Sequence, residues 1–481
     1  MHVMGLLRRG AYADSIALMQ IAEELRRLPG IATAALLMGT PANLATLAEA
    51  DLLPAEAEGA APEDIVLAVR ADDAASGRAA LARAEALLAR PAGGAPAHAE
   101  APPRSLVSAA RRTAGANLAM IAVPGEHAVA EAHQALSAGL HVFLFSDGVP
   151  VGAERALKLR ARARGLLVMG PECGTSIVNG VGLGFANRVR RGAVGLVGAS
   201  GTGLQEVTSL IHRLGGGVSH AIGTGGRDLH AEVGGITTLQ AIELLAGDAA
   251  TRVLVLVSKP AADAVARQVL AAAGAAGKPA IACLLGWRGE APAGVRVVES
   301  LEEAAVAAVE ALGPTPPALE PPKLEPRRRP CGPVLGLFTG GTLCDEARRV
   351  VGAAARSFVD FGAEEYTRGR PHPMIDPALR SAALTRAGDD AGVGVLLLDL
   401  VLGSCAHPDP ASAAVAAIRE ARARAARHGR HLAVVAHVVG TEDDPQGLAA
   451  QEGALRALDV IVCPSNRLAA RTALALARGD R

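Results

Sequence analysis

Short apolar runs alternate along this chain with longer segments whose apolar positions recur every three to four residues. LAMIAVP (118–124), HVFLFSD (141–147) and LLVMGPEC (166–173) read as buried strands. Between them, EHAVAEAHQALSAG ends at Gly139 and GAERALKLRARARG ends at Gly165, each with a helical pattern. Buried strands alternating with helices predict a parallel sheet with right-handed crossovers. The cycle returns with AVGLVGAS (193–200), GGVSHAIGTGG (216–226), RVLVLVSKP (252–260) and PAIACLLGW (279–287). It returns again with PVLGLFTGGT (333–342), VGVLLLDLVLG (393–403), HLAVVAHVVGT (431–441) and LDVIVCPS (458–465). Residues 1–90 also alternate, from HVMGLLR through the one-faced helix SIALMQIAEELRRL to IATAALLMG and DIVLAVR.

Two Pro-rich stretches without periodicity, 91–104 and 313–330, read as linkers because proline removes backbone donors. The expected fold is multidomain α/β. A small N-terminal α/β domain (1–92) and a linker (93–104) precede a Rossmann-like, CoA-binding-type domain (105–191). A flavodoxin-like domain (192–312), a Pro-rich linker (313–330) and a second flavodoxin-like domain (331–481) complete the chain.

Composition narrows the function classes. Lys+Arg and Asp+Glu number 48 each, so no net charge draws the chain to nucleic acid or an acidic membrane. Aromatics at 2% leave no stacking platform for single strands and require cores of Ala, Val, Leu and Ile. Six scattered cysteines without a CxxC argue against a zinc site or disulfide framework and suit reduced cytosol. No uninterrupted apolar run approaches the length of a membrane span, and MHVMGLLRRGAYADS lacks a signal-peptide apolar region. A cytoplasmic protein with no nucleic-acid or membrane partner is expected.

The chemistry is expected in the turns. In open α/β sheets ligands bind at the C-terminal edge of the strands. There, GAVGLVGA stops at Ser200-Gly201-Thr202-Gly203, and Val207, Leu210, Ile211 and Leu214 begin a helix. A helix start leaves backbone N–H groups without partners and carries partial positive charge. Glycine lets a phosphoryl oxygen approach, and Ser or Thr adds a hydroxyl, so Ser200, Gly201, Thr202 and Gly203 are candidate phosphate ligands. Gly340, Gly341 and Thr342 repeat the pattern, and Gly225 and Gly226 of AIGTGGRDL can line the same edge as Ser200. An ordinary N-cap explains such a turn equally well. No Lys follows the glycines, so this is not a Walker A loop. His220 reads as a core or edge histidine. His372, His407 and the carboxylates of TEDDPQ (441–446) match no ligand spacing, and no metal is expected. Asp443 and Asp444 stand either at a ligand-bearing edge or as helix caps.

The succession GPECGTSIVNGVGLGF (170–185), GAVGLVGASGTGLQEVT and AIGTGGRDL resembles the α subunit of succinyl-CoA synthetase. GLFTGGTLCDEA and VVAHVVGTEDDP resemble the ligase domain of its β subunit, so the likeness covers roughly residues 105–481. With MGTPAN (38–43) and GTEDDPQ (440–446), the whole chain resembles the FdrA family of acyl-CoA synthetase-like proteins. That resemblance implies a subunit of oxamate carbamoyltransferase in purine-nitrogen (allantoin) catabolism, interconverting oxalurate plus phosphate with oxamate plus carbamoyl phosphate. It implies a hetero-oligomer with two further proteins. It also implies a phosphate cradle between two facing helix starts, with Ser200 and Thr342 within one ligand's length. CoA and a nucleotide are the cofactors the resemblance raises, and the residues themselves call for none. The synthetase's phosphohistidine loop is replaced by RGEAPAGVRV (288–297), which has no histidine, and the early Gly-rich CoA loop is missing. An acid–thiol ligase and a non-catalytic scaffold are the competing readings.

Overall fold

The computed structural model describes residues 2–11, 13, 15–89, 103–313, 315–323, 331–368 and 370–479. The linker expected at 93–104 lies outside the described residues except for its last two positions. That at 313–330 lies outside them at 314 and 324–330. The chain forms two compact units, residues 1–102 with 364–371, and residues 103–363 with 372–481.

The first unit runs β1 (His2–Arg8), α1 (Ser15–Arg26), β2 (Ile31–Met38), α2 (Pro41–Glu49), β3 (Ile65–Ala71) and α3 (Ala74–Leu88). Its antiparallel sheet has the order β1-β3-β2, so β1 and β2 run parallel on either side of β3. The central β3 is buried along nearly its whole length, which is why IVLAVRA reads as an unbroken apolar run. Thr40 and Asp73 start the two later helices, each side chain accepting backbone N–H bonds.

The second unit opens with α4 (Leu106–Arg112), β4 (Leu118–Ile121), α5 (Gly125–Ser137), β5 (His141–Leu144), α6 (Val151–Arg162) and β6 (Val168–Met169). These strands form a parallel sheet in the order β4-β5-β6. The hairpin β7 (Thr175–Val178) and β8 (Val181–Gly184) then leaves that sheet for the next one. That sheet continues with β9 (Arg191–Ala199), α7 (Gly201–Arg213), β10 (Val218–Gly223), α8 (Ile236–Gly247), β11 (Val253–Ser258), α9 (Asp263–Gly274), β12 (Ala280–Leu284), β13 (Val295–Val297) and α10 (Leu301–Glu310). Its order is β13-β12-β11-β9-β10-β7-β8, a parallel flavodoxin-type sheet with an antiparallel hairpin on one edge.

The last sheet is built from β14 (Val334–Phe338), α11 (Gly341–Val351), β15 (Ala355–Asp360), α12 (Glu364–Thr367), α13 (Ala378–Ala387), β16 (Val395–Val401), α14 (Pro410–Arg427), β17 (Ala433–Val439), α15 (Leu448–Arg456), β18 (Ile461–Cys463) and α16 (Asn466–Arg478). Its order β15-β14-β16-β17-β18 is the flavodoxin order, all parallel; α12 belongs to the first unit. β15 is missing from the periodicity reading because it is an edge strand with no fully buried residue.

One apolar core joins the two larger sheets. Val207, Leu210 and Ile211 of α7 and Ala304 and Ala308 of α10 share it with Leu343 and Ala347 of α11 and Ala469 and Ala473 of α16. Small side chains let these helices approach closely without aromatic filling. The layer brings the strand ends of both sheets together.

Candidate functional site

The first Gly-rich turn is a strained-looking sequence with an ordinary cap. Ser200 is extended and its Oγ accepts the Gly203 N–H at 2.9 Å, so Gly203 serves the helix itself. Gly201 and Thr202 occupy the first two helical positions, where N–H groups have no intrahelical acceptor. Gly201 borders a small open cleft whose other walls are Glu172, Cys173, Gly174 and Thr175 on one side and Gly223, Gly225 and Gly226 on the other. The space enclosed there is about 10 Å³, room for one water-sized group such as a single phosphoryl oxygen.

Thr175 adds the observation that points to a ligand. It is only 2% exposed, its hydroxyl has no hydrogen-bond partner, and it stands 3.5 Å from where a side chain on residue 201 would begin. A buried hydroxyl without a partner costs free energy unless something fills the gap. Gly226 looks into open space, whereas Gly225, with φ +87°, packs so closely on Gly170 and Pro171 that a side chain would overlap them. Of the two predicted glycines, one therefore borders the cleft freely and the other shapes it.

A charge network missed from the sequence holds the second wall. The buried Lys158 ammonium donates to Glu154 (2.7 Å), to Asp228 (2.7 Å) and to the Thr224 carbonyl (2.9 Å), and Asp228 accepts from Thr238 N at 2.8 Å. The spacing of Glu154 and Lys158 at i, i+4 was the available signal. Cys173, despite its position, is no thiolate: burial pushes its pKa up to about 11.

The second Gly-rich turn meets the first directly. Ser200 Oγ and Thr342 Oγ1 are hydrogen-bonded at 2.5 Å, and a side chain on Gly340 would press on Thr202. The expected proximity holds, but the hydroxyls close on each other and leave no phosphoryl-sized gap between them. The donors that precede the helix in this turn are also committed. Asp399 accepts the N–H groups of Thr339 (2.7 Å) and Gly340 (2.8 Å) and the Thr339 hydroxyl, and Arg380 pairs with it. Gly340 is thus not an open anion donor, because an internal carboxylate has taken its place. Gly341, the first residue of α11, faces Lys259 and Asp360 instead.

The histidines lie elsewhere in the hydrogen-bonding scheme. His220 Nδ1 accepts from Asn179 N, and His407 Nδ1 accepts from Asp409 N. His372 Nδ1 accepts from Met374 N, and burial lowers its pKa to about 4, so it is neutral. In TEDDPQ, Asp444 accepts from Asn187, from Arg188 N and from Thr441 N, a structural role. Among the described residues no three His, Cys, Asp or Glu side chains gather to hold a metal.

The uncharacterized protein YahF of Escherichia coli is 39% identical over 504 residues, covering 97% of this chain and 97% of that protein. The chain belongs to the YahF family. Within this YahF-family chain, residues 1–103 match the AllF heavy metal-associated domain, 189–284 the CoA binding domain and 337–476 the CoA-ligase family. The α subunit 2 of an ADP-forming succinate–CoA ligase from Archaeoglobus fulgidus is 30% identical over 157 residues, 32% of this chain and 53% of that subunit. A dinucleotide-forming acetyl-coenzyme A synthetase from Ca. Korarchaeum cryptofilum, solved with phosphate and ADP, is 16% identical. It covers 75% of this chain and 82% of its own, with a TM-score of 0.34, too low to carry an argument. The chain is acyl-CoA synthetase-like in its domains, and among the described residues no helix is long and apolar enough to cross a membrane.

One group that these family names imply does not fit the residues present. Residues 1–103 contain no cysteine, so the soft thiolate chemistry of a heavy-metal site has no ligands in the YahF-family N-terminal domain. The turn after β4 is Val123-Pro124-Gly125, where Pro124 brings no capping side chain and Gly125 packs tightly on the backbone of Asp147 and Gly148.

Proposed function

We propose that the chain is a component of a carbamoyltransferase that interconverts oxalurate plus phosphate with oxamate plus carbamoyl phosphate in purine-nitrogen (allantoin) catabolism. It would act in a hetero-oligomer with two further proteins of that pathway. The observation carrying this reading is the small polar cleft in which the start of α7 at Gly201 meets the unpartnered Thr175 hydroxyl. Carbamoyl phosphate would place its phosphoryl oxygens on Gly201 N–H, Thr202 N–H and Thr175 Oγ1. Charge grows on the phosphate as the C–O bond breaks, and fixed donors there stabilise it with no reorganisation. The match of residues 1–103 to the AllF domain supports the pathway assignment.

The second reading, an acid–thiol ligase, has the CoA-ligase and CoA binding matches in its favour. Against it stands the histidine-free segment 288–297.

The chain co-expressed with its two partners should release phosphate from carbamoyl phosphate only when oxamate is present. Thr175→Val preserves volume and deletes one donor; loss of a charge-assisted bond of about 1–3 kcal/mol should weaken phosphate binding roughly 5- to 100-fold. Gly201→Val should fill the cleft and weaken it further. Phosphate affinity unchanged in both folded variants would remove the cleft from the reaction. Transfer to CoA in place of oxamate would favour the ligase.

A further inference from the structure

Three polar groups that the protein leaves unsatisfied converge beside the start of α11. Lys259 follows β11, whose Ser258 lies in register with Ala199, so it stands at the same sheet edge as Ser200, one strand away. Its ammonium reaches within 2.5 Å of the point where a side chain on Gly341 would begin, and Oδ2 of Asp360 overlaps that same point. Asp360 ends β15, next to β14, and its Oδ1 accepts the Gly362 N–H at 2.9 Å. His372 Nε2 and Asp360 Oδ1 both approach residue 362, at 2.8 and 3.1 Å from its side-chain position. Since His372 Nδ1 is an acceptor, the neutral ring carries its proton on Nε2. All three side chains are half-buried, and neither the ammonium, Oδ2 nor Nε2 has a hydrogen bond among the described residues. Glycine at 341 is required because the ammonium and carboxylate lie over it.

This group belongs to neither the phosphate cleft nor the packing of the helix layer; the hydrogen bond between Ser200 on the cleft wall and Thr342 beside Gly341 must open for the two to be joined. We propose that Lys259, Asp360 and His372 form the acceptor subsite of the transfer, with Asp360 as the general base. The proposal rests on the carbamoyltransferase reading and names the second half of its site. The ligand class is a small carboxylic acid bearing a primary amide. Its carboxylate is drawn to the Lys259 ammonium, which an isolated carboxylate subsite needs, and its amide N–H faces Asp360 Oδ2. His372 Nε2–H donates to an acceptor oxygen.

In the forward step the amide nitrogen attacks the carbamoyl carbon. The new N–C bond forms, the C–O bond to phosphorus's oxygen breaks, and that oxygen leaves with the electron pair as phosphate in the Gly201 cleft. The proton from the amide nitrogen passes to Asp360. In reverse, protonated Asp360 returns it to the departing nitrogen. The environment suits a group that works in both directions. Burial lifts Asp360 to about 6, against the Lys259 charge and the Gly362 N–H, while the carboxylates of Asp399 and Asp345 push it further up. A base with a pKa near the working pH exchanges protons readily.

The test uses the full chain with its two partners. Asp360→Asn should lower oxalurate formation at least about 100-fold, the lower range for loss of general-base catalysis, with inorganic phosphate binding unchanged. The acid limb of the wild-type rate profile, with an apparent pKa near 6, should vanish from the residual activity. Lys259→Met should raise the KM for oxamate at least about tenfold with a smaller effect on kcat. Asp360→Asn within threefold of wild type, or an unchanged oxamate KM in Lys259→Met, overturns the subsite while leaving the phosphate cleft standing. A wild-type complex that makes no oxalurate overturns both readings.

Discussion

Cys173 and Thr175 line the same wall of the cleft, two residues apart, and their environments give them opposite uses. The thiol is pushed up to about 11 by burial, which outweighs its weak contacts with Ser176 and the Thr175 carbonyl, so it stays protonated at neutral pH. The threonine hydroxyl is equally buried but has nothing to bond. Nucleophilic sulfur chemistry needs the thiolate, and exposure governs which thiol meets a reagent. Cys405 is exposed, whereas Cys173, Cys283, Cys344 and Cys463 are buried. Partial burial raises the Cys405 thiol as well, but its exposure decides: brief treatment of the native chain with iodoacetamide at pH 7.5 to 8 (about one unit below ordinary thiol values) should label Cys405 before the four buried thiols. Peptide mass spectrometry finding Cys173 labelled as fast as Cys405 would contradict the burial of the cleft wall.

At the level of elements, α7 carries the phosphate turn and is clamped to the last sheet by buried charge. Glu206 of α7 meets His437 Nε2 at 2.7 Å and accepts Asn466 N at the start of α16. His437 Nδ1 lies 3.0 Å from the Cys463 carbonyl, so both ring nitrogens face acceptors and the imidazolium form satisfies them together. Burial opposes that charge, but Glu206 and the carbonyl outweigh it and leave the pKa of His437 raised. Nearby Glu346 of α11 accepts from Leu301 N and from Asn466, yet burial lifts it from 4.5 to about 7, helped by the charges of Glu206 and Glu302.

The two shifts act with the same sign. Between 4.5 and about 7 the folded chain holds a proton on Glu346 that the unfolded chain has released, so stability falls as pH rises through that window. The contribution of His437 is complete below its unfolded value and is lost as pH rises through its raised folded value. These two contributions to the melting temperature should decline from pH 5 to 8, while buried His372, with its lowered pKa, contributes the opposite slope below 6.5. Glu346→Gln, which cannot ionise, should flatten the decline by on the order of 3 kcal/mol across the window. A slope identical in the variant and the parent would place the proton uptake elsewhere.

The whole second unit depends on a core that neither flavodoxin-like half completes alone. Helices α7 and α10 from one half and α11 and α16 from the other bury their apolar faces on one another. Splitting the chain between residues 323 and 331 and co-expressing the pieces should give a complex that elutes together on size exclusion. Residues 331–481 expressed alone should aggregate, since Leu343, Ala347, Ala469 and Ala473 would face water. A soluble, monomeric 331–481 with native melting behaviour would show that the two halves are independent.

What could be read from the chain alone follows from local physics. A buried parallel strand must be apolar on both faces, so β9, β11, β16 and β17 stand out as continuous runs. A helix start after such a run needs a cap and a tight turn, so Ser200-Gly201 and Gly340-Gly341 mark two equivalent places. Periodicity says nothing of an edge strand wet on both sides, and β15, which delivers Asp360, has that character. Nor does it say what meets across long stretches of chain. Asp399 lies 59 residues from the Gly340 N–H it occupies, and Thr342 lies 142 residues from the Ser200 hydroxyl it touches. Local pattern therefore marks the buried strands and the two turns. Packing sets which turn keeps its donors, leaves Thr175 facing it without a partner, and draws Lys259, Asp360 and His372 together. Hydrogen-bond capacity is a local property of each residue, but whether it is spent is settled by the distant groups that packing brings within reach.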